Sequence, residues 1–373
     1  MIQTISFENY KLFKEEQTLE LCPITLVIGK NNSGKSAVLK LPVILEGSLK
    51  EGGNNPLKLT YKGARIGQGY PDLFYNRESI GLQVKVASQT ENLSITMNLT
   101  RAYGLSVHSY IQNGEELPVS SLSLEGLKNI DNPLETITIN TDYIGAFREF
   151  PDVQIRDLSE RYNRIGDNGK KAFNLLAQYH RDNDSVLEEI NQWFRNNFEG
   201  WEIAVRDVSG TTPSYEITLS TGAISYINIT DTGSGIRQVL PLIVRSFMPV
   251  EETTLIIIEE PETHLHPAAH GNLAERFVES YLNDNNRHYL IETHSENFLL
   301  RLRALVAQGK LAPEDLAIYY VDYEEENKQS SLRRIEVDKY GNLPNNDWPE
   351  GIFAETSSEV RRIILAQQEQ RIR

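Results

Sequence analysis

The sequence predicts an α/β fold with a mixed central sheet, an antiparallel β subdomain and a helical insertion, and three patterns carry the prediction. From residue 254 onward the chain alternates strand and helix: 254–258, 268–282, 288–292, 296–308 and 316–323. Alternation of this kind builds a parallel sheet. Short β runs at 82–86, 93–99, 105–111 and 137–144 read as an antiparallel subdomain. Between 158 and 198 the period becomes helical, in 171–179 and 185–198, after the turn Gly166-Asp167-Asn168-Gly169.

The other elements follow from the same patterns. Residues 3–28 give two alternating strands, with Ile5, Phe7, Leu19 and Leu21 on one face, and then a continuous apolar strand, 24–28. A Gly-rich loop and a helix come next. Strand patterns return at 201–208, 215–220 and 223–229, followed by the loop 231–235 and an apolar helix from Ile236. Residues 322–330 read as a polar loop. There is no internal repeat and no long heptad run. The expected organisation is a single head: 1–145 a phosphate-loop lobe with the β subdomain, 146–200 the helical insertion, 201–373 the remainder.

Composition narrows the function. The 373 residues carry 37 Lys+Arg against 52 Asp+Glu, a formal net charge of -15, which argues against a surface that grips nucleic acid throughout. A local basic patch could draw on Lys11, Lys14, Arg101, Arg148, Arg156, Arg161 and Arg164, although scattered charges ordinarily form a solvated face. No apolar run approaches the roughly 20 residues needed to span a bilayer. The N-terminus MIQTISFENYKLFK lacks the apolar run of a signal peptide, and the lone Cys22 cannot form an internal disulfide. Both features lead us to expect a cytoplasmic protein.

The chemistry begins at Gly29-Lys30-Asn31-Asn32-Ser33-Gly34-Lys35-Ser36, a full G-x-x-x-x-G-K-[ST] match between an apolar strand and a helix. It predicts a P-loop NTPase. Gly29 and Gly34 let the backbone N–H groups of Asn31, Asn32, Ser33 and their neighbours turn inward onto phosphate oxygens, and the helix start adds positive potential. Lys35 is expected to bridge the β and γ phosphates of ATP, and the Ser36 hydroxyl to bind Mg²⁺. Leu255-Ile256-Ile257-Ile258-Glu259-Glu260 supplies the second half, an apolar strand ending in acids. Glu259 would hold Mg²⁺ directly or through water, and Glu260 would polarise the attacking water. His264, His266 and His294 lie near Glu259, Glu260 and Glu262 in sequence but lack the spacing of a zinc site. Tyr10 and Phe13 are candidates to pack at the adenine, with core packing the alternative.

Asp231-Thr232-Gly233-Ser234-Gly235-Ile236-Arg237-Gln238-Val239-Leu240-Pro241, Pro261-Glu262-Thr263-His264-Leu265-His266-Pro267 and Glu292-Thr293-His294-Ser295 complete a recognisable set. Together with the N-terminal motif they resemble ABC-type ATPase heads related to RecF, SMC proteins and the overcoming-lysogenization-defect (OLD) nucleases. More narrowly, they resemble stand-alone bacterial AAA15/AAA21-type ATPases with a DUF3696 region at the C-terminus, here represented by Ala312-Pro313-Glu314-Asp315 and Asp347-Trp348-Pro349-Glu350-Gly351-Ile352-Phe353. The resemblance implies that Gly233, Ser234 and Gly235 form a signature loop that contacts the γ-phosphate of ATP held by a second copy. It implies that His294 is the switch histidine and that the residues after Glu260 run along a dimer interface. Arg237 stands where many relatives carry a small residue. The Q-loop position is open between Gln68 and Asp72. ATP-driven head-to-tail dimerisation follows from the resemblance. So does an anti-phage role with a separate effector such as a nuclease; a RecF-like repair ATPase that binds duplex DNA and a slow assembly scaffold are the alternatives.

Overall fold

The computed structural model describes residues 2–51, 55–102, 104–116, 137–156, 158–208, 213–343 and 362. In chain order the N-terminal half contains β1 (Thr4–Glu8), β2 (Gln17–Glu20), β3 (Ile24–Gly29), α1 (Lys35–Lys50), β4 (Thr60–Tyr61), β5 (Ala64–Arg65), β6 (Leu82–Ala87), β7 (Asn92–Leu99), β8 (Leu105–Gln112), β9 (Glu115–Glu116) and β10 (Thr141–Ile144). Then follow α2 (Lys171–Asp182), α3 (Val186–Asn197), β11 (Glu202–Asp207), β12 (Tyr215–Ser220), β13 (Ile227–Asn228) and α4 (Ser234–Phe247). The chain continues with β14 (Thr254–Glu259), α5 (Pro267–Asn283), β15 (Arg287–Glu292), α6 (Glu296–Ala307), β16 (Leu316–Glu324) and β17 (Gln329–Ile335).

The central sheet is mixed, in the order β10-β14-β15-β3-β16-β17. All neighbours are parallel except β16 and β17. An antiparallel sheet, β2-β1-β6-β7-β8-β9, forms the subdomain, and β11-β12-β13 form a smaller one. Every residue of β14 is buried, as expected of a strand covered on both faces. Its side chains alternate between two cores. Ile256 and Ile258 join Ile24, Leu26 and Ile291 against α4, α5 and α6. Leu255 and Ile257 join Val27 and Leu290 against α1 and the antiparallel sheet.

Several expectations need correction. The run 137–144, assigned to the antiparallel subdomain, becomes a strand only at β10, which pairs parallel to β14 in the central sheet. All four of its residues are buried, so it reads as an α/β strand rather than an alternating one. The polar loop expected at 322–330 is instead the end of β16, a tight turn and the start of β17. Polar side chains suit an edge strand, which hid it from a hydrophobicity reading. The run 223–229 shortens to Ile227–Asn228. Within 146–200 the helices occupy 171–197, and they pack on α4 and the β11–β12 pair. Arg148, offered for a basic patch, is buried. The motif at 347–353 lies outside the described residues.

A buried ion pair links β10 to α4: Arg245 Nε donates to Asp142 Oδ2 at 2.5 Å, with both residues almost inaccessible. Removing one partner leaves the other charge buried and uncompensated, a loss of about 3–5 kcal/mol. Asp142→Ala should therefore lower the urea midpoint sharply without changing the m-value. An unchanged midpoint would show that the pair does not tie strand to helix.

Candidate active site

Strand β3 delivers the chain to the phosphate loop, and two glycines let it turn. Gly29 has φ 153°, and a Cβ there would stand 2.3 Å from the Val321 carbonyl oxygen on β16. Gly34 has φ 106° and sits against the Phe13 ring. Gly34 is the N-cap of α1 and offers no side-chain cap, whereas Ser295 caps α6 by accepting a bond from the Phe298 N–H. The Ala37 and Val38 N–H groups donate to the Gly34 carbonyl, which leaves those of Lys35 and Ser36, at the very start of α1, available to an anion. From β17, Ser330 Oγ donates to the Ser33 carbonyl at 2.7 Å and steadies the loop.

Lys35 is buried, and its Nζ donates to the Lys30 carbonyl at 2.8 Å and lies 3.7 Å from Glu292 Oε1. Burial lowers its pKa, and the nearby Glu292 and Glu260 carboxylates oppose that shift. Ser36 Oγ donates to Glu292 Oε2 at 2.9 Å. Glu292 and Glu259 are register partners at the ends of β15 and β14. Burial pushes Glu292 up to about 7; Lys35 pulls it down, while Glu259 pushes it further up. The shifts of Lys35 and Glu292 have one cause: desolvation outweighs their mutual attraction. Glu259 Oε1 lies 3.2 Å from Lys40 Nζ, an ion-pair distance without the angles of a hydrogen bond. Burial raises the pKa of the Tyr143 hydroxyl, and the neighbouring Glu259 carboxylate raises it further.

Glu260 leaves β14 with φ 44°, and its backbone N–H donates to the Glu292 carbonyl at 2.9 Å. Its Oε2 accepts from Thr263 Oγ1 at 3.1 Å, and its Oε1 lies 4.0 Å from His294 Nε2. Burial and then Lys35 lower the His294 pKa, against the pull of Glu260, which favours a neutral ring. The backbone N–H of His294 donates to Glu262 Oε1 at 2.6 Å. Ligand atoms of Glu260, Glu292 and His294 lie within 4.8 Å of one another. These groups open on a cleft of about 700 Å³ whose lining includes Asn31, Asn32, Gly34, Lys35, Ser36 and Lys40.

The structure thus gathers Lys35, Ser36, Glu260, Glu292 and His294 in one cleft; Glu259, the register partner of Glu292, lies behind the lining and meets it through Lys40. Gly233, Ser234 and Gly235 do not line it. They form the start of α4, where a Cβ on Gly235 would come 2.7 Å from the His264 carbonyl oxygen. His264 is exposed, and His266 caps α5 by accepting from the Ala268 N–H, so neither joins the acid cluster. Tyr10 and Phe13 are fully buried around Phe7 and do not line the cleft, although the Phe13 ring backs Gly34. Gln68 and Asp72 are also outside it: Gln68 accepts from Arg65, and Asp72 accepts from the Gln68 and Gly69 N–H groups, while Arg65 and Ile66 themselves line the cleft. Glu292 belongs to none of the phosphate-loop or β14 motifs. Its only signal was an acid at the end of an apolar strand, directly before Thr293-His294.

The profile of the family described as "AAA domain, putative AbiEii toxin, Type IV TA system" matches residues 24–301, more than half of the chain. The chain belongs to this family. A second profile, "Protein of unknown function (DUF3696)", matches 311–363 and so takes in β16 and β17. A protein of Helicobacter pylori (strain ATCC 700392 / 26695) named ATP/GTP phosphatase is 21% identical over 355 residues, covering 84% of this chain and 90% of the relative. Among solved structures, an SmcHead bound to the C-winged helix domain of ScpA is similar at TM-score 0.56 and 14% identity, over 91% of this chain and 98% of that one. The Smc head of Pyrococcus furiosus, with an extended coiled coil and bound to the C-terminal domain of ScpA, is similar at TM-score 0.54 and 12% identity, over 90% and 96%. The chain is thus an AAA-domain protein with a fold like that of SMC heads and a C-terminal region that matches the DUF3696 profile. Among the described residues no helix is long and apolar enough to cross a membrane.

An acid whose pKa rises on folding costs stability above its folded value and nothing below its unfolded value. Glu292 therefore costs up to about 3 kcal/mol above pH 7 and little below pH 4.5. In EDTA and without nucleotide, Glu292→Gln should melt above wild type at pH 8, and the gain should vanish as the pH falls to 4.5. A difference that is the same at both pH values would contradict the assignment.

Proposed function

We propose that the protein binds and hydrolyses ATP in the cleft between the phosphate loop and the ends of β14 and β15. The observation that carries this reading is the convergence, at one sheet edge, of an uncapped helix start bearing Lys35 and Ser36 with Glu260, Glu292 and His294. Lys35, now held by a loop carbonyl and a carboxylate, exchanges these partners for the β and γ phosphates. The N–H groups of 29–36 hold the phosphate chain. Glu260 accepts the proton of the attacking water, and a neutral His294 donates to the γ-phosphate.

The donor set fits Mg²⁺: the Ser36 hydroxyl and carboxylates are hard oxygen ligands, and Glu259 Oε1 is buried with no hydrogen bond. Ser36 with Glu292 or Glu259 would hold it. When bound, Mg²⁺ offsets the charge that develops on the transferred phosphoryl group.

A second copy would complete the site by presenting Gly233, Ser234 and Gly235. Support comes from their place outside the cleft and from the N-cap Gly233, which like Gly34 offers no side-chain cap. ATP would then favour the dimer and hydrolysis would release it. The family description, with its reference to a toxin system, favours a defence role in which this ATPase acts with a separate effector such as a nuclease. Burial of Arg148 and the net acidity weigh against direct binding of duplex DNA.

ATP turnover by wild type and Glu260→Gln, with and without duplex DNA, tests the reading. The variant should lose about 10²-fold or more in turnover while still binding ATP, and with Mg-ATP it should accumulate as a dimer. Wild-type turnover should be indifferent to DNA. A variant as fast as wild type would refute the role of Glu260, and several-fold stimulation by DNA would move the protein to the repair class.

A further inference from the structure

We infer that Arg148 is a positioning residue that ties the catalytic carboxylate of Glu260 to the signature helix α4. The inference rests on the ATPase reading above and adds a route by which contact at the signature loop sets the hydrolytic strand end.

Arg148 follows β10 and is 4% exposed. Its Nη2 donates to two successive carbonyls, Glu259 at 2.7 Å and Glu260 at 3.0 Å, where the chain leaves β14. The same residue meets α4 from both its ends. Its carbonyl accepts from Gln238 Nε2 at 2.9 Å, and its Nη1 points to the Gln238 carbonyl at 3.5 Å. Gln238 is itself buried and lies in the second turn of α4.

A neighbouring contact reinforces the grip. Phe150 lies under the Arg237 guanidinium at 3.9 Å, and Arg237 Nη1 donates to the Thr230 carbonyl at 3.1 Å. The segment 148–150 therefore holds α4 at two consecutive residues, and this gives Arg237 a structural use at a position where a small residue was expected. Glu260 is the residue this grip would move most directly, because its left-handed backbone is fixed by Arg148 at its carbonyl and by Glu292 at its N–H.

The clamp also has unused bonding capacity. Arg148 Nε and Gln238 Oε1 are buried without hydrogen-bond partners. A shift of α4 could exchange the weak 3.5 Å contact for another pairing without exposing either group to water. Burial pushes the Arg148 pKa down to about 10, against the Glu262, Glu260 and Glu259 carboxylates, so the guanidinium stays charged near neutral pH. A charged guanidinium is the form that binds two carbonyls strongly.

The test is hydrogen exchange of the full chain with and without Mg-ATP, alongside steady-state kinetics, for wild type, Arg148→Met and Gln238→Leu. In wild type, ATP should slow exchange over 29–36 and alter it over 233–240. Both variants should keep the first response and lose the second, with kcat reduced about 10-fold or more and KM changed by less than about threefold. Arg148→Lys, which can still donate to the two carbonyls, should recover part of kcat. Gln238→Leu carries the test if Arg148→Met does not fold, since it leaves the Arg148 bonds to the Glu259 and Glu260 carbonyls in place. An unchanged 233–240 response and unchanged kcat in the variants would overturn the coupling while leaving the ATPase reading intact. Absence of any ATP effect over 29–36 in wild type would overturn that reading and the inference with it.

Discussion

Parallel pairing of β3, β15 and β14 in one register fixes where the chemistry can happen. The three strands end at the same sheet edge, with Glu259 opposite Glu292 and Glu292 opposite Val27, so the phosphate loop that opens at Gly29, two residues past Val27, starts beside two acids 33 positions apart along the chain. The helix that follows β3 then aims its free N–H groups and Lys35 at acids carried by the other two strands. Burial of those acids follows from the same pairing, because β14 and β15 are covered on both faces. Desolvation therefore shapes both the lysine and the glutamate before any ligand arrives.

The same sheet divides the site. α4 starts beside the loop after β14, outside the cleft that holds the phosphate loop. The end of β14, which lies between the cleft on one side and α4 on the other, is placed to respond to both. Arg148 occupies that junction, bonded to the carbonyls of Glu259 and Glu260 and to Gln238. In this account hydrolysis depends on a second copy because the signature glycines and the phosphate loop of one chain do not share a cleft.

The sequence disclosed most of this arrangement because the relevant signals are local. The phosphate loop, the strand ending at Glu259 and the strand before His294 are each short, apolar or glycine-marked, and each lands where its pattern placed it. Signals that depend on partners across the fold were not legible. β10 looked like another antiparallel run, since nothing local says which sheet a short apolar strand joins. β17 was hidden by the polar side chains that an edge strand tolerates. Arg148 looked like surface charge, because its burial depends on carbonyls 111 and 112 positions away and on Gln238. Glu292 was visible as an acid, yet its contacts with Ser36 and Lys35 exist only once β15 lies beside β3.

The central claim is that one cleft and one signature loop, from different copies, make one working site. It is tested most directly by mixing two inactive variants, Lys35→Ala, which lacks the phosphate-binding amine, and Ser234→Arg, which blocks the signature loop. A mixed dimer contains one site built from the intact phosphate loop of the second and the intact signature of the first. The account predicts that neither variant hydrolyses ATP alone and that the mixture does. A fully active Ser234→Arg variant, or a mixture as inert as its components, would contradict it.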